Sequence, residues 1–252
     1  MMNAKERYLA VFDDDKRKKL ERVPTFVQYI REEFIALHQR TLLEKYKGIV
    51  FNNAYFDVPM ILGFDSIFSP FPSSVKFRAL KIIPPGSEEI KIGLDGEPVK
   101  KKNTYYQGGY VWNLDVLDEM ESNLKIIDNS ESIKKVLRYH EKLSPKIFPI
   151  LSVDGIFDKA WRSMGMGVFS KHFRKNSKLY QRVIKFYAQI LEINVEGLLN
   201  TRSTKNLVLT ILDDIAYKGN LMISPERWRK DYLNFYKKIT SMIQDADMIP
   251  LM

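Results

Sequence analysis

Residues Leu209 to Trp228 read LTILDDIAYKGNLMISPERW, and the punctuation of this stretch decides the fold class. The apolar run from Leu207 to Leu212 has the length and content of a buried strand. Two carboxylates, Asp213 and Asp214, stand at its end, and a polar loop follows. The next helix is well marked. Ser224 can cap its first turn, Pro225 suits its first position, and Glu226 complements the positive end of its dipole. A buried strand that delivers carboxylates into a loop ahead of a helix is the unit in which α/β folds place their chemistry. The same pair can instead serve as acceptors for loop and helix-terminal amides, and both readings stay open here.

The pattern repeats on either side. Leu179, Val183, Phe186 and Ile190 recur at i, i+4, i+7 and i+11, the stripe of a helix packing on a sheet. Trp228, Tyr232, Phe235, Ile239 and Met242 mark the last long helix, and Met248 to Met252 begins another strand. Upstream, Ile147 to Val153 reads as a core strand running into Asp154-Gly155, Phe64 to Phe68 as a second, and Val23 to Ile30 as the first, its start set by Pro24. Asn3 and Glu6 form a capping box for a helix over Ala4 to Phe12; a charged turn, DDDKRKKLER, follows it. Residues 32 to 47 read as helix, and Val58 to Leu62 as a short apolar element closed by Gly63.

Between residues 70 and 146 the pattern changes. Ile82 to Pro85, Glu89 to Leu94 and Tyr105 to Trp112 are short segments separated by PPG, DG and GG turns, which predicts inserted hairpins. Two helices, LDVLDEMES and SIKKVLRYHEKL, lead back to the core pattern. Strands alternating with helices predict a parallel α/β sheet or barrel. About five core strands are present, against the eight that a closed (β/α)₈ barrel takes from about 250 residues. The expectation is a single, incomplete barrel domain over 1–252, with 70–146 as an inserted hairpin and helix region. An unclosed parallel edge is unpaired, so either the chain is a piece of a longer protein or something covers that edge, a second copy among the candidates.

Composition narrows the classes. The 252 residues are 45% hydrophobic and include no cysteine, which excludes disulfides, thiolate metal sites and a cysteine nucleophile. No apolar run approaches the ~18 residues of a membrane span, and MMNAKERYLAVF lacks the form of a secretory signal. A cytoplasmic protein is expected. The net charge of +9 is dispersed; Lys16 to Lys19 and Lys100 to Lys102 are short runs without interleaved aromatic residues, so nucleic acid is not the favoured partner. A basic surface also attracts an anionic small molecule.

Several stretches, taken together, resemble the uroporphyrinogen decarboxylase superfamily, which includes corrinoid-dependent methyltransferases. They are Arg22-Val-Pro24, Leu62-Gly-Phe-Asp65-Ser-Ile67, Asp154-Gly-Ile-Phe157-Asp-Lys-Ala-Trp161 with Met164-Gly-Met166, and Asp213-Asp-Ile-Ala216 with Ile223-Ser-Pro-Glu-Arg-Trp228. The resemblance implies a (β/α)₈ barrel of that family's type with a cleft at the carboxyl ends of its strands. It implies either cofactor-free decarboxylation of a tetrapyrrole, or methyl transfer from a corrinoid protein to a thiol activated by zinc. Two departures bear on the first activity. The family's Arg-Gln-Ala-Gly-Arg stretch is replaced by Val27-Gln28-Tyr29-Ile30-Arg31, and its Phe-Ser-Asp by Phe68-Ser69-Pro70. The zinc ligands of the methyltransferase branch would fall beyond residue 252, so no cofactor is expected in this chain and its catalysis is expected to be impaired or absent. A non-catalytic binding or assembly protein built on a barrel remnant is the alternative.

The candidate residues follow from strand ends and the resemblance. Asp213 and Asp214 can share a proton and serve acid–base work. Gln28 and Arg31 are the anion-facing candidates, and Asp154 can face the same cleft or cap the helix after Gly155. Phe157 and Trp161, at i and i+4, form either a stacking wall or core, and Tyr217 lies in the loop after the aspartates. His38, His140 and His172 stand among charged neighbours without metal-ligand spacing and read as surface residues; Asp65 reads as a cap at the start of its strand. Gly86, Gly93, Gly96 and Gly108-Gly109 read as turns, not a phosphate cradle. The partners expected are an anionic tetrapyrrole or a corrinoid protein.

Overall fold

The computed structural model describes residues 2–45, 54–78, 80–83, 89–93, 95–96, 98, 109–201 and 205–252. The amino-terminal helix α1 (Ala4–Ala10) carries the expected capping box: Asn3 Oδ1 accepts from the Glu6 amide at 3.0 Å, and the Asn3 amide donates to Glu6 Oε2 at 2.9 Å. The charged turn holds a single helical turn, α2 (Asp14–Arg17), capped by Asp13. Strand β1 (Phe26–Val27) is much shorter than its apolar run, because Val23 and Tyr29 are exposed and only two residues pair. Helices α3 (Glu32–Lys45) and α4 (Ala54–Ile61) follow; the apolar element at 58–62 is the last turn of α4, and Gly63, at φ +84°, ends it.

Strand β2 (Ser66–Pro70) begins the central part of the sheet. The next region pairs β3 (Val75–Phe77) with the later β6 (Leu124–Ile126), and β4 (Leu80–Ile82) with β5 (Ile90–Ile92), both antiparallel. Helix α5 (Leu114–Asn123) precedes β6 and α6 (Ser130–Leu143) follows it. The hairpin predicted at Tyr105 to Trp112 is corrected for the residues described, since 109–112 form no strand. Gly86 and Gly108 lie outside the described residues. A Cβ on Gly109 would meet the Met164 carbonyl carbon at 2.0 Å, so close backbone contact with the end of a later helix requires this glycine.

Strand β7 (Phe148–Asp154) leads into α7 (Ile156–Met164), α8 (Met166–Arg174) and the long α9 (Lys178–Leu199). Strand β8 (Val208–Leu212) is followed by a small β9–β10 hairpin (Ala216–Tyr217, Asn220–Leu221), then α10 (Pro225–Asp231), α11 (Leu233–Asp245) and β11 (Ile249–Leu251). Ser224 caps α10 and Pro225 opens it, as the sequence predicts.

The five-stranded sheet has the order β1-β2-β7-β8-β11, and every pair is parallel. Each core strand therefore lies beside the next one in sequence, with none of the order reversal that defines a doubly wound sheet. The two faces differ. Register places Phe68, Ile150 and Val208 on one face, where Phe148 also lies, and Tyr8 and Leu9 of α1 pack against them. Leu151, Leu209 and Ile211 point the other way, into the large core built with α7, α9 and α11. Among the described residues, no helix is long and apolar enough to cross a membrane.

A buried carboxylate ties the first elements together. Asp65 accepts from Arg7 Nη2 at 2.7 Å, from Arg22 Nη1 at 2.5 Å and from the Thr25 amide at 2.8 Å. Two of the sequence stretches singled out above, Arg22-Val-Pro24 and Leu62 to Ile67, are thus halves of one contact at the start of β2. Burial works to raise the Asp65 carboxyl, but Arg22, Thr25 and Arg7 together hold it below its usual value.

His140 is a correction. It is 3% exposed, packed beneath the sheet with its Nε2 2.9 Å from Ser69 Oγ, and burial pushes its imidazole down to about 4.

Candidate functional site

A cleft of about 490 Å³ opens at the carboxyl ends of four adjacent strands. Gln28 comes from beyond β1, Phe68 and Pro70 from β2, Ser152 to Asp154 from β7, and Leu212 from β8. Alternation explains this set apart from Val153, which has the opposite parity. Phe68, Ile150 and Val208 share the α1 face, so Pro70, Ser152, Asp154 and Leu212, displaced by even steps, emerge on the same face at the strand ends. Helix α9 closes one side with Tyr187, Ile190, Leu191 and Asn194, at i, i+3, i+4 and i+7.

Of the residues expected at the site, Gln28 and Asp154 line the cleft. Asp154 is no helix cap: Gly155 occupies that position, and the exposed Asp154 carboxylate pairs with Lys159 Nζ at 2.8 Å. Arg31 is exposed and does not line the cleft. Phe157 and Trp161 lie in the core. Phe157 is fully buried, its ring 5.5 Å from that of Phe169 and 5.7 Å from that of Tyr232, and Trp161 is 4% exposed. The core alternative holds for both, because α7 turns that side toward α8 and α9. Tyr217 lies in β9, and its side chain is outside the described residues.

Asp213 and Asp214 do not line the cleft either. Asp213 stands one residue past Leu212, so alternation turns it away from the cleft and toward α7. There it caps the helix that follows the neighbouring strand: its carboxylate accepts from the Phe157 amide at 3.2 Å, from the Asp158 amide at 2.6 Å and from the Tyr236 hydroxyl. Tyr236 Oη in turn accepts from the Ile156 amide at 2.8 Å. Gly155 makes room for this; a Cβ there would sit 2.5 Å from Asp213 Cγ. Burial raises the Asp213 carboxyl above its ordinary value, against these hydrogen bonds and with nearby Asp214 adding to the rise. Asp214 is exposed.

Asp158 is itself buried, and burial pushes its carboxyl up to about 7 while Arg162, with Nε at 2.8 Å, pulls the other way. This aspartate, Asp213 and Tyr236 form a buried polar cluster behind the cleft, joined through the start of α7.

Sequence reasoning overlooked Tyr29, Tyr55, Lys159, Tyr187 and Asn194, all of which line the cleft. A signal existed for Asn194, an amide set in an otherwise apolar helical stripe with Tyr187, Ile190 and Leu191. None existed for Tyr55, whose hydroxyl donates to the Phe68 carbonyl at 2.6 Å across two elements.

The zinc of the methyltransferase branch is not matched by these residues. The chain has no cysteine, and no three His, Asp or Glu side chains converge among the described residues.

No family model matches the chain, and no curated protein matches it. Among solved structures, a methyltransferase from Methanosarcina mazei superposes with a TM-score of 0.52 at 15% identity, over 99% of this chain and 69% of that one. That likeness is one of fold: a mixed α/β protein with a parallel sheet, shared with a methyltransferase structure.

Proposed function

We propose that the chain is a small-molecule-binding protein of the uroporphyrinogen decarboxylase type, nearer that superfamily's methyl-transferring branch, with its ligand in the cleft. The observation that carries this is the convergence of four adjacent parallel strands, through the last residues of β2, β7 and β8 and the residue after β1, on one cleft of about 490 Å³. This is the position and size of ligand sites in barrel-like α/β folds. The unreversed strand order and the likeness of fold to a methyltransferase support the barrel-type reading.

On this reading turnover is weak or absent. Asp213 already accepts two hydrogen bonds from α7 amides and one from Tyr236, and it lies outside the cleft lining, so it is not placed to exchange a proton with a ligand there. Purified protein should neither decarboxylate uroporphyrinogen nor methylate a thiol from methylcobalamin, the small-molecule stand-in for a corrinoid protein. Aromatic probes should shift the cleft amides Gln28 and Asn194 in an NMR titration. Turnover in either assay would overturn the non-catalytic part of the reading, and probes that leave the cleft unmoved would overturn the binding part.

A second reading, assembly through the open sheet edge, is favoured by one observation. Val23 is 81% exposed, Phe26 41% and Tyr29 52%, all along the segment that carries edge strand β1. Light scattering would find a dimer that Phe26→Lys dissociates; a monomer at high protein concentration would dismiss it.

A further inference from the structure

We infer that the cleft selects a flat, uncharged ligand bearing a hydrogen-bond acceptor, and discriminates against both polyanions and cations. The inference rests on the reading of the cleft as the ligand site.

Asn194 sets the polarity. It is 8% exposed, and its Oδ1 accepts from the Ser74 amide at 2.7 Å and from Ser73 Oγ at 2.9 Å. A backbone N–H can only donate, so the Asn194 oxygen must face Ser74, and the amide is held in one orientation. Its Nδ2 remains the donor on a residue that lines the cleft. This nitrogen is not among the buried atoms left without a partner, so it stays open to solvent, and a ligand that displaces its water must accept from it or lose that hydrogen bond.

Two of the three lining tyrosine hydroxyls are already engaged. The Tyr55 hydroxyl is used on the Phe68 carbonyl, and the Tyr187 hydroxyl lies 3.3 Å from that of Tyr110. These residues therefore offer ring surface to a ligand, the environment of a conjugated ring.

One lining lysine, Lys159, stands with two lining carboxylates, Asp154 and Asp95. Lys159 and Asp154 pair at 2.8 Å, and Asp95 has interactions of its own. Arg31, the guanidinium expected to hold substrate carboxylates, is outside the lining. A ligand with several carboxylates would enter without matching cations, and an ammonium ligand would have to compete with Lys159 for Asp154.

Three probes with one ring system and different heads test this: 2-naphthamide, 2-naphthoate and 2-naphthylmethylammonium, each titrated into the ¹⁵N-labelled 252-residue chain. The amide should bind at least tenfold more tightly than either charged probe and shift the Asn194 side-chain NH₂ signal. Asn194→Asp keeps an oxygen for Ser73 and Ser74 but removes the donor, and should weaken naphthamide at least tenfold. If that variant does not fold, the wild-type Asn194 signal decides. A charged probe that binds the cleft as tightly as the amide, or an amide that binds without moving Asn194, overturns the inference and leaves the cleft reading standing. If none of the three perturbs the cleft, the cleft reading falls and the inference with it.

Discussion

Truncating Asp213 separates a structural carboxylate from a catalytic one. Asp213→Ala strands the Phe157 and Asp158 amides and the Tyr236 hydroxyl, three donors that now converge on one carboxylate. A hydrogen bond contributes about 1 kcal/mol net, and a lost helix cap costs about 0.5–2 kcal/mol, so the sum is roughly 3 kcal/mol. That is a large part of the ~5–15 kcal/mol that holds a domain folded. Asp213→Asn preserves one oxygen but turns an NH₂ toward a remaining donor, for about 1–2 kcal/mol. Urea denaturation at fixed pH gives both values, and 2-naphthamide titration reports on the cleft. A capping role requires the order wild type, Asn, Ala in stability, with probe affinity unchanged in folded protein. An alanine variant that unfolds at the wild-type urea concentration while losing ligand would refute the reasoning and restore Asp213 to the cleft chemistry.

Three more outcomes follow from the same contacts. Gly155→Ala drives a Cβ to within 2.5 Å of Asp213 Cγ and 2.6 Å of its Cβ and should cost about 2 kcal/mol in urea denaturation; combined with Asp213→Gly, which removes both atoms, it should cost almost nothing further, and full additivity would disprove the clash. Burial lowers His140 to about 4, so between pH 4 and 6.5 the unfolded chain binds more protons, and stability rises with pH until it is complete above 6.5. Acidification through that window costs up to about 3 kcal/mol on this account. Asp158, raised to about 7, works in the opposite sense, its contribution being lost as pH climbs from about 4 to 7. His140→Gln and Asp158→Asn should therefore tilt the pH profile of the urea midpoint in opposite directions, and parallel profiles would count against both assignments. Asp65→Asn leaves Arg7, 15% exposed, without its counter-charge and should cost about 3 kcal/mol, whereas Arg22→Lys, at a 47% exposed side chain, should cost less than about 1. Equal thermal shifts in the two variants would mean that Asp65 is not the centre of the contact.

The fold was legible where burial is two-sided. Phe148 to Asp154 and Val208 to Leu212 are near-continuous apolar runs because parallel strands are covered on both faces. Val23 to Ile30 looks similar and is not, because apolar content says nothing about pairing at an edge, and only Phe26 and Val27 find a partner. His140 was misread from its charged neighbours. Ile133, Leu137 and His140 stand at i, i+4 and i+7, and all three are buried, so periodicity places the histidine on the inner face while Arg138, Glu141 and Lys142 occupy other directions. Gly109 was misread because close packing against another backbone and a tight turn call for the same residue.

Asp213 shows the deeper reason why the site was only half legible. A strand buried on both faces contains little that distinguishes one face from the other, so the side to which its terminal residue points cannot be counted from hydrophobicity. The clue was small: Thr210 pairs with Ser152, and these two hydroxyls mark the α1 face of an otherwise aliphatic pair of strands. Counting from Thr210, Leu212 turns to the cleft and Asp213 to the helices. The cleft is therefore lined by the less conspicuous residue, while the conspicuous acid is spent on α7. The same parity assigns Asp154, two steps from Ser152, to the cleft, where it meets Lys159. One strand-end aspartate faces the cleft and the other holds the helix beside it, and the difference between them is a single step along the chain.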